Sequence, residues 1–283
     1  MNKNNPPILI TGASGFIAGN LFSNLYESGY EVWGTYNSNN IKRNNYIKID
    51  LTEREEVNAL KEKLPKKFIL IHSAALAHEN SNNQNDVFEK NVKMTRNLIN
   101  VFSNRVIKFI FLSSVSVYGE AGNKSKINIK SELRPYNDYG KSKVRCEELI
   151  LDSNISNYLI LRLAPVFDEK HLQDVKKRAI FPYINNLKIL ITPVPYHSFL
   201  HIKYFCKIFN KFLNENENKK IKNISDTRLY SQKEISDWFT GISIRLPEII
   251  FSPIYWLTYL LPWRKGHYLR CFYWKFFKSN LYE

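Results

Sequence analysis

Residues 6–25 read PPILITGASGFIAGNLFSNL, and the order of features in this stretch decides what fold the chain can make. Ile8-Leu9-Ile10 is a short apolar run of the kind that forms a buried parallel strand. Gly12 and Gly15 break it, and Phe16, Ile17, Leu21, Phe22 and Leu25 then recur at helical spacing. A strand, a glycine turn and a helix bring backbone N–H groups and the positive end of a helix to one point, which suits a pyrophosphate. The same spacing also serves a plain strand-to-helix turn without a ligand. The rest of the chain has to separate the two.

Outward from this stretch the alternation repeats. Strands are expected at 8–11, 31–36, 46–49, 68–73, 106–113 and 158–164, with helices at 15–28, 53–63, 84–104 and 139–152. Strands alternating with helices of this length imply right-handed crossovers and a doubly wound parallel sheet, a Rossmann-type α/β fold. Beyond Pro165 the pattern loosens to a helix over 172–188, a strand at ILITPVP (189–195) and a helix over 201–215. The strand KIKNIS (220–225) and the helix SQKEISDWFTGI (231–242) follow. The expected division is a dinucleotide-binding domain over 1–167 and a smaller, divergent substrate lobe over 168–283, with 196–215 returning to the first domain.

The 283 residues are 44% hydrophobic and 24% charged, ordinary for a soluble globular chain. Lys and Arg number 41 against 26 Asp and Glu, a net charge of +15. Such an excess favours anionic partners. Yet many lysines lie among asparagines, as in NENENKKIKN (214–223), which reads as solvated surface, so no nucleic-acid partner is expected. Cys146, Cys206 and Cys271 have neither metal nor disulfide spacing, and the N-terminus lacks the apolar core of a signal peptide. A cytoplasmic location follows as the expectation.

Chemistry enters at DYGKSKVRCEELI (138–150). Tyr139 and Lys143 fall one turn apart on the same helix face. An ammonium beside a phenol favours the phenolate and brings the tyrosine toward a useful pKa. Upstream, FIFLSSVSVYG (109–119) is a buried strand whose hydroxyls, Ser114 among them, fall at the carboxyl edge of the sheet, where ligands bind in this architecture. Ser114 is placed to hydrogen-bond the same substrate oxygen as Tyr139.

Together these residues resemble the extended short-chain dehydrogenases/reductases, a group of NAD(P)-dependent nucleotide-sugar epimerases, dehydratases and reductases. The matching pieces run in family order: TGASGFIAG (11–19), Asp50-Leu51, HSAALAH (72–78), NVKMT (91–95), SSVSVYG (113–119), YGKSK (139–143) and LRLAPVF (161–167). The resemblance implies a catalytic set of Ser114, Tyr139 and Lys143. It implies cofactor contacts from Gly12, Ser14, Gly15, Phe16 and Ile17 at the phosphates and from Tyr36 and Asn37 at the ribose. Asp50 and Leu51 would meet the adenine, Ala74 and Ala75 would line the wall, and Asn91 would support the site. Pro165 and Val166 would lie near the nicotinamide, and Lys143 would hold its ribose. His78, Ser116 and Arg270 are the candidate substrate contacts, and a homodimer is expected.

Departures from the family pattern shape the finer expectation. NAD-preferring relatives carry an acid about where Tyr36 stands; its absence here, with Asn37, Ser38, Lys42 and Arg43 nearby, tilts the reading to NADP(H) over NAD(H). Val115 and Ser116 follow Ser114 where a dehydratase would carry an acidic pair, which disfavours dehydration. The expected reaction is therefore reduction of a 4-keto nucleotide-deoxysugar in bacterial surface-polysaccharide synthesis. A 4-epimerase with tightly held NAD and a non-catalytic cofactor sensor are the alternatives.

Residues 249–283, IIFSPIYWLTYLLPWRKGHYLRCFYWKFFKSNLYE, stand apart. The apolar run is too short to span a bilayer. Aromatic residues mixed with Arg and Lys suit a helix lying at a membrane interface, here the inner membrane surface. They equally suit a lid on the substrate lobe that brings Arg264, Lys265 or Arg270 to a diphosphate.

Overall fold

The computed structural model describes residues 5–38, 45–77, 84–119, 126–181, 186–214 and 219–283. In chain order the first elements are β1 (Ile8–Thr11), α1 (Phe16–Glu27), β2 (Val32–Tyr36), β3 (Tyr46–Lys48), α2 (Arg54–Lys63), β4 (Phe68–His72), α3 (Gln84–Phe102) and β5 (Val106–Ser114). Next come β6 (Lys126–Ile127), α4 (Asp138–Leu151), β7 (Tyr158–Leu163), β8 (Val166–Phe167), α5 (Gln173–Lys176), β9 (Leu187–Thr192), β10 (Tyr196–His197), β11 (Leu200–His201) and α6 (Ile202–Asn214). The last are β12 (Lys220–Ile224), β13 (Tyr230–Ser231), α7 (Gln232–Asp237), β14 (Ile242–Pro247), α8 (Ser252–Leu257), α9 (Trp263–Phe277) and β15 (Leu281–Tyr282).

Seven strands form one sheet in the order β12-β7-β5-β4-β1-β2-β3. β1 pairs in parallel with β2, Ile8 opposite Val32, and with β4, Ile8 opposite Ile69 and Thr11 opposite His72. The pairs β2–β3 and β4–β5 are parallel too. Strands covered on both faces must be apolar throughout, and β1, β4 and β7 are buried at every position. The strand order reverses between β1 and β4, so the loops leaving their carboxyl ends open a crevice. Beneath it lies a core that includes Leu9, Val57, Leu60, Phe68, Leu98 and Phe102, with Phe68 and Phe102 edge to face at 5.4 Å.

The chain divides into two compact units. The first comprises Met1–Ser114, Asp138–Arg162 and Cys206–Lys222, and holds most of the sheet with its crossover helices. The second comprises Val115–Asn137, Leu163–Phe205 and Asn223–Glu283 and is built from short pairings. β8 runs parallel to β11, β9 to β14 and β6 to β15, while β10 and β13 are antiparallel. One of its cores gathers Phe167, Val175, Phe199, Tyr230 and Ile235; another gathers Ile189, Ile191, Tyr273, Phe276 and Phe277.

Two elements depart from the sequence expectation. Among the described residues, the helix expected over 172–188 is only α5, four residues long, and Phe181 N–H bonds the Leu187 carbonyl at 2.9 Å while Ile180 bridges Lys188. The reason lies at Lys188, whose buried amine donates to the Ser236 and Phe239 carbonyls at 3.3 and 3.1 Å and fixes a strand there. The helix beginning at Ser231, whose hydroxyl caps it by accepting from Glu234 N–H at 3.1 Å, ends at Asp237. Ile242 then starts β14, since its register partner β9 already offers an unpaired edge. Among the described residues no helix is long and apolar enough to cross a membrane.

Candidate active site

The loop after β1 is held by hydrogen bonds of its own. Ala13 N–H bonds the Thr35 carbonyl at 2.7 Å, Gly15 N–H the Gly12 carbonyl at 2.9 Å, and Gly12 N–H reaches the Thr35 hydroxyl at 3.3 Å. Gly12 has φ +68°, and a Cβ there would sit 2.8 Å from the Ala74 Cα, so only glycine lets the two loops approach. Gly15 starts α1 without a side-chain cap, and the first turn, which includes Phe16 and Ile17, carries no acid. A helix start of this kind, beside the half-buried Ser14, fits the diphosphate of a dinucleotide.

The second wall is held by a buried polar relay. The Thr11 hydroxyl accepts from Ser73 N–H and Ala74 N–H, both at 3.1 Å, so its own proton goes to His72 Nδ1 at 2.8 Å. His72 Nε2–H then donates to the Thr95 hydroxyl at 3.0 Å, and Thr95 donates to the Asn91 carbonyl at 3.1 Å. The assignment keeps His72 neutral. Burial, with the Lys143 charge adding to it, lowers its pKa to about 3. The Asn91 side chain accepts from Leu76 N–H at 2.8 Å and donates to the Ser142 hydroxyl at 3.0 Å, tying the Ala74-Ala75 loop to α4.

At the far edge, Tyr36 ends β2 and Asn37 follows it, exposed. Burial alone would raise the Asp50 carboxyl, but hydrogen bonds from the Thr52 hydroxyl and N–H and from Asn37 outweigh it and hold the group below its ordinary range. Leu51 gives its side chain to the core, while its carbonyl accepts from Asn97 at 3.0 Å.

Ser114 is the last residue of β5 and half-buried; Tyr139, also half-buried, stands in the first turn of α4. Lys143 is 3% exposed. Its Nζ donates to the Leu112 carbonyl at 2.8 Å and lies 4.7 Å from the Phe111 ring centre and 5.5 Å from that of Tyr139. Burial lowers its pKa to about 8, while Cys146 and Glu147 act to raise it. At neutral pH the group therefore remains mostly an ammonium, next to the phenol ring one turn away.

Sequence reasoning missed the anchor beneath this lysine. Glu147 and Arg162 are both buried, joined by Nη2–Oε2 at 2.6 Å and Nε–Oε1 at 3.1 Å, and the Ser113 hydroxyl donates to the same carboxylate. The signal was present: Glu147 continues the Tyr139–Lys143 face at the next turn, and Arg162 interrupts the apolar strand YLILRL. Buried charges in such places need partners.

Ser116 follows in a short 3-10 turn, half-buried. Pro165 and Val166 are half-buried in the second unit, where Leu200 N–H bonds the Pro165 carbonyl at 3.0 Å. Arg270 is buried in α9; it donates to the Thr258 carbonyl at 3.4 Å and stacks 4.3 Å from the Tyr259 ring centre. This engages its guanidinium within the C-terminal helices. His78, Lys42 and Arg43 lie outside the described residues. All three cysteines are buried free thiols, with burial raising Cys146 and taking Cys206 to about 11, so neither thiol is poised as a nucleophile.

Comparison with known proteins follows the same lines. The chain is 31% identical to a protein of Methanocaldococcus jannaschii provisionally named a UDP-glucose 4-epimerase, over 61% of this chain and 59% of that one. It thus spans about three fifths of that relative's length. Its fold is similar to that of the UDP-Glc/GlcNAc 4-epimerase of Campylobacter jejuni, with TM-score 0.71 and 21% identity over 86% of this chain and 87% of the other. It is similar too to WbmG of Bordetella bronchiseptica, solved with NAD and UDP, with TM-score 0.66 and 20% identity over 86% and 83%. A family model matches residues 8–225, and on that match the chain belongs to the NAD dependent epimerase/dehydratase family.

Proposed function

We propose that the chain is a nucleotide-sugar 4-epimerase, removing hydrogen from a ring carbon of a nucleoside-diphosphate sugar and returning it to the opposite face. The observation that carries this reading is the buried Lys143 ammonium beside Tyr139 on α4, in the same unit as Ser114 and the glycine loop. A nicotinamide dinucleotide held along Gly12–Ile17 and Ala74-Ala75 supplies the hydride acceptor and donor. Tyr139 takes the proton of the sugar hydroxyl as its carbon is oxidised and returns it on reduction. Ser114 donates to that oxygen and fixes its position. Lys143, charged below about pH 8, favours the phenolate form of Tyr139.

The sequence reading weighted a reductase; the names of the relatives, epimerases of UDP-sugars, support the epimerase over it. The reductase with NADP(H) stays as the second reading because residues 36–38 carry no acid for a ribose hydroxyl. Incubation with UDP-glucose, without net cofactor consumption, should give UDP-galactose. Tyr139→Phe should lower turnover by about 10²–10⁴-fold while cofactor affinity stays within a few-fold. Undiminished turnover in that variant would remove Tyr139 from the role. Stoichiometric NADPH oxidation with a 4-keto nucleotide sugar, and no epimerisation, would favour the reductase.

A further inference from the structure

We infer that the C-terminal helical pair, α8 and α9 with the turn between them, is a peripheral docking surface for an anionic lipid bilayer. The pair has two distinct faces. Its inner face is a packed aromatic core: Phe251 lies 4.4 Å from Phe277 and Tyr255 4.8 Å from Tyr273, against Ile189 and Ile191 of β9. The crossing is tight. A Cβ on Gly266 would come 2.3 Å from the Thr258 carbonyl oxygen, and Arg270 spans the same point by bonding that carbonyl and stacking on Tyr259. The helices are therefore locked in one orientation by their inner contacts, and the residues left outside are outside by construction.

Those residues are apolar. Ile249 is 76% exposed, Leu260 82%, Trp256 65% and Trp263 69%, with Ile254 and Leu257 more than half exposed. Their neighbours Ile250, Tyr259 and Leu261 are exposed too, so large apolar side chains are concentrated along residues 249–263 of a kind that a soluble surface ordinarily exposes singly. Neither helix can span a bilayer: α8 has six residues and α9 buries most of its length. An apolar surface that cannot cross a bilayer can still lie on one.

Charge selects the occupant. Between Ile249 and Tyr282 there are Arg264, Lys265, Arg270, Lys275 and Lys278 and no Asp or Glu, and of these Arg270 is buried and Lys278 is paired with Glu248. Lys265, two residues after the exposed Trp263, is itself exposed, and so is Arg245 on β14. The two acids that flank the segment are both taken up, Glu248 by Lys278 and the Tyr273 hydroxyl and Glu283 by Lys126. Indole and phenol rings around aliphatic side chains, with cations and no acid, match the headgroup boundary of a negatively charged leaflet.

The test is co-sedimentation of the full chain with vesicles of phosphatidylglycerol and phosphatidylcholine, and with phosphatidylcholine alone. Binding is expected to the first and to weaken with added salt, with a blue shift of tryptophan emission. The double variant Trp256→Ser, Leu260→Ser should lose at least about tenfold in partitioning while keeping its far-ultraviolet circular dichroism. Lys265→Glu, which leaves the apolar face intact, should weaken binding to the anionic vesicles alone. Wild-type protein that stays in the supernatant with anionic vesicles overturns the inference, as does equal partitioning of wild type and folded double variant. Absent vesicle binding with a fall in sedimentation coefficient for the double variant would make the face a contact between two copies of this chain instead.

Discussion

Lowering the pH from 7 to 5 charges His72 in the unfolded chain but not in the native one, and the difference can be worked from its surroundings. The ring is 1% exposed, and burial, reinforced by the Lys143 ammonium, takes its pKa to about 3 against an ordinary value of 6.5. Because the folded value is the lower, the unfolded state binds the extra proton between those two values. Stability is thus fully present above pH 6.5 and is lost as the pH falls toward 3. Between pH 7 and pH 5 the loss from this single ring is about 2 kcal/mol. Any folded value below about 4 gives the same figure, because the native ring then stays neutral across the whole window.

The ring has a structural reason to stay neutral. A proton on Nδ1 would face a Thr11 oxygen that already accepts from Ser73 and Ala74. His197, fully buried and held well below its usual range by burial and by Arg178, steepens the slope in the same direction, so His72 has to be isolated by substitution. His72→Gln keeps a donor and an acceptor but does not titrate. Urea midpoints at pH 7, 6 and 5 should show the variant weaker at pH 7 yet losing about 2 kcal/mol less on acidification than the wild type. Equal slopes for the two proteins would refute the reasoning.

Two further outcomes follow from the same geometry. Gly12→Ala forces a Cβ against Ala74 at a backbone angle that disfavours side chains, so dinucleotide affinity, read by titration calorimetry, should fall by at least about tenfold; unchanged affinity would mean the two loops are not held at this spacing. Glu147→Gln leaves the buried Arg162 guanidinium without its carboxylate and should destabilise by about 3–5 kcal/mol in urea melts, and a loss under about 1 kcal/mol would show the pair to be dispensable.

Legibility in the sequence tracked the range of the interaction that fixes each feature. Apart from the two-residue β6, which no sequence pattern marked, the strands and helices of the first 165 residues fall within one or two residues of expectation, because apolar periodicity and the glycine and proline breaks act over a few positions. The spacing of Tyr139 and Lys143 is likewise local. The region after Pro165 was harder. The short strands of the second unit draw their stability from partners far along the chain, as β9 does from β14, and residues 177–188 carry enough helical spacing to mislead. His78 and the basic pair Lys42 and Arg43, expected from the sequence to bear on substrate and cofactor choice, lie outside the described residues.

What the sequence alone determined is a strand, a glycine turn and a helix at residues 8–27, the alternation that follows, and a tyrosine and a lysine on one helix face. Each depends on backbone sterics and on periodicity within a single element. What only the tertiary structure decided is who meets whom. Sheet order sets Thr11 against His72 across 61 residues, the meeting of α4 with β7 sets Glu147 against Arg162, and the packing of α9 on α8 turns one aromatic face inward and leaves the other exposed. Those pairings depend on contacts between elements distant in sequence, and no local pattern specifies them.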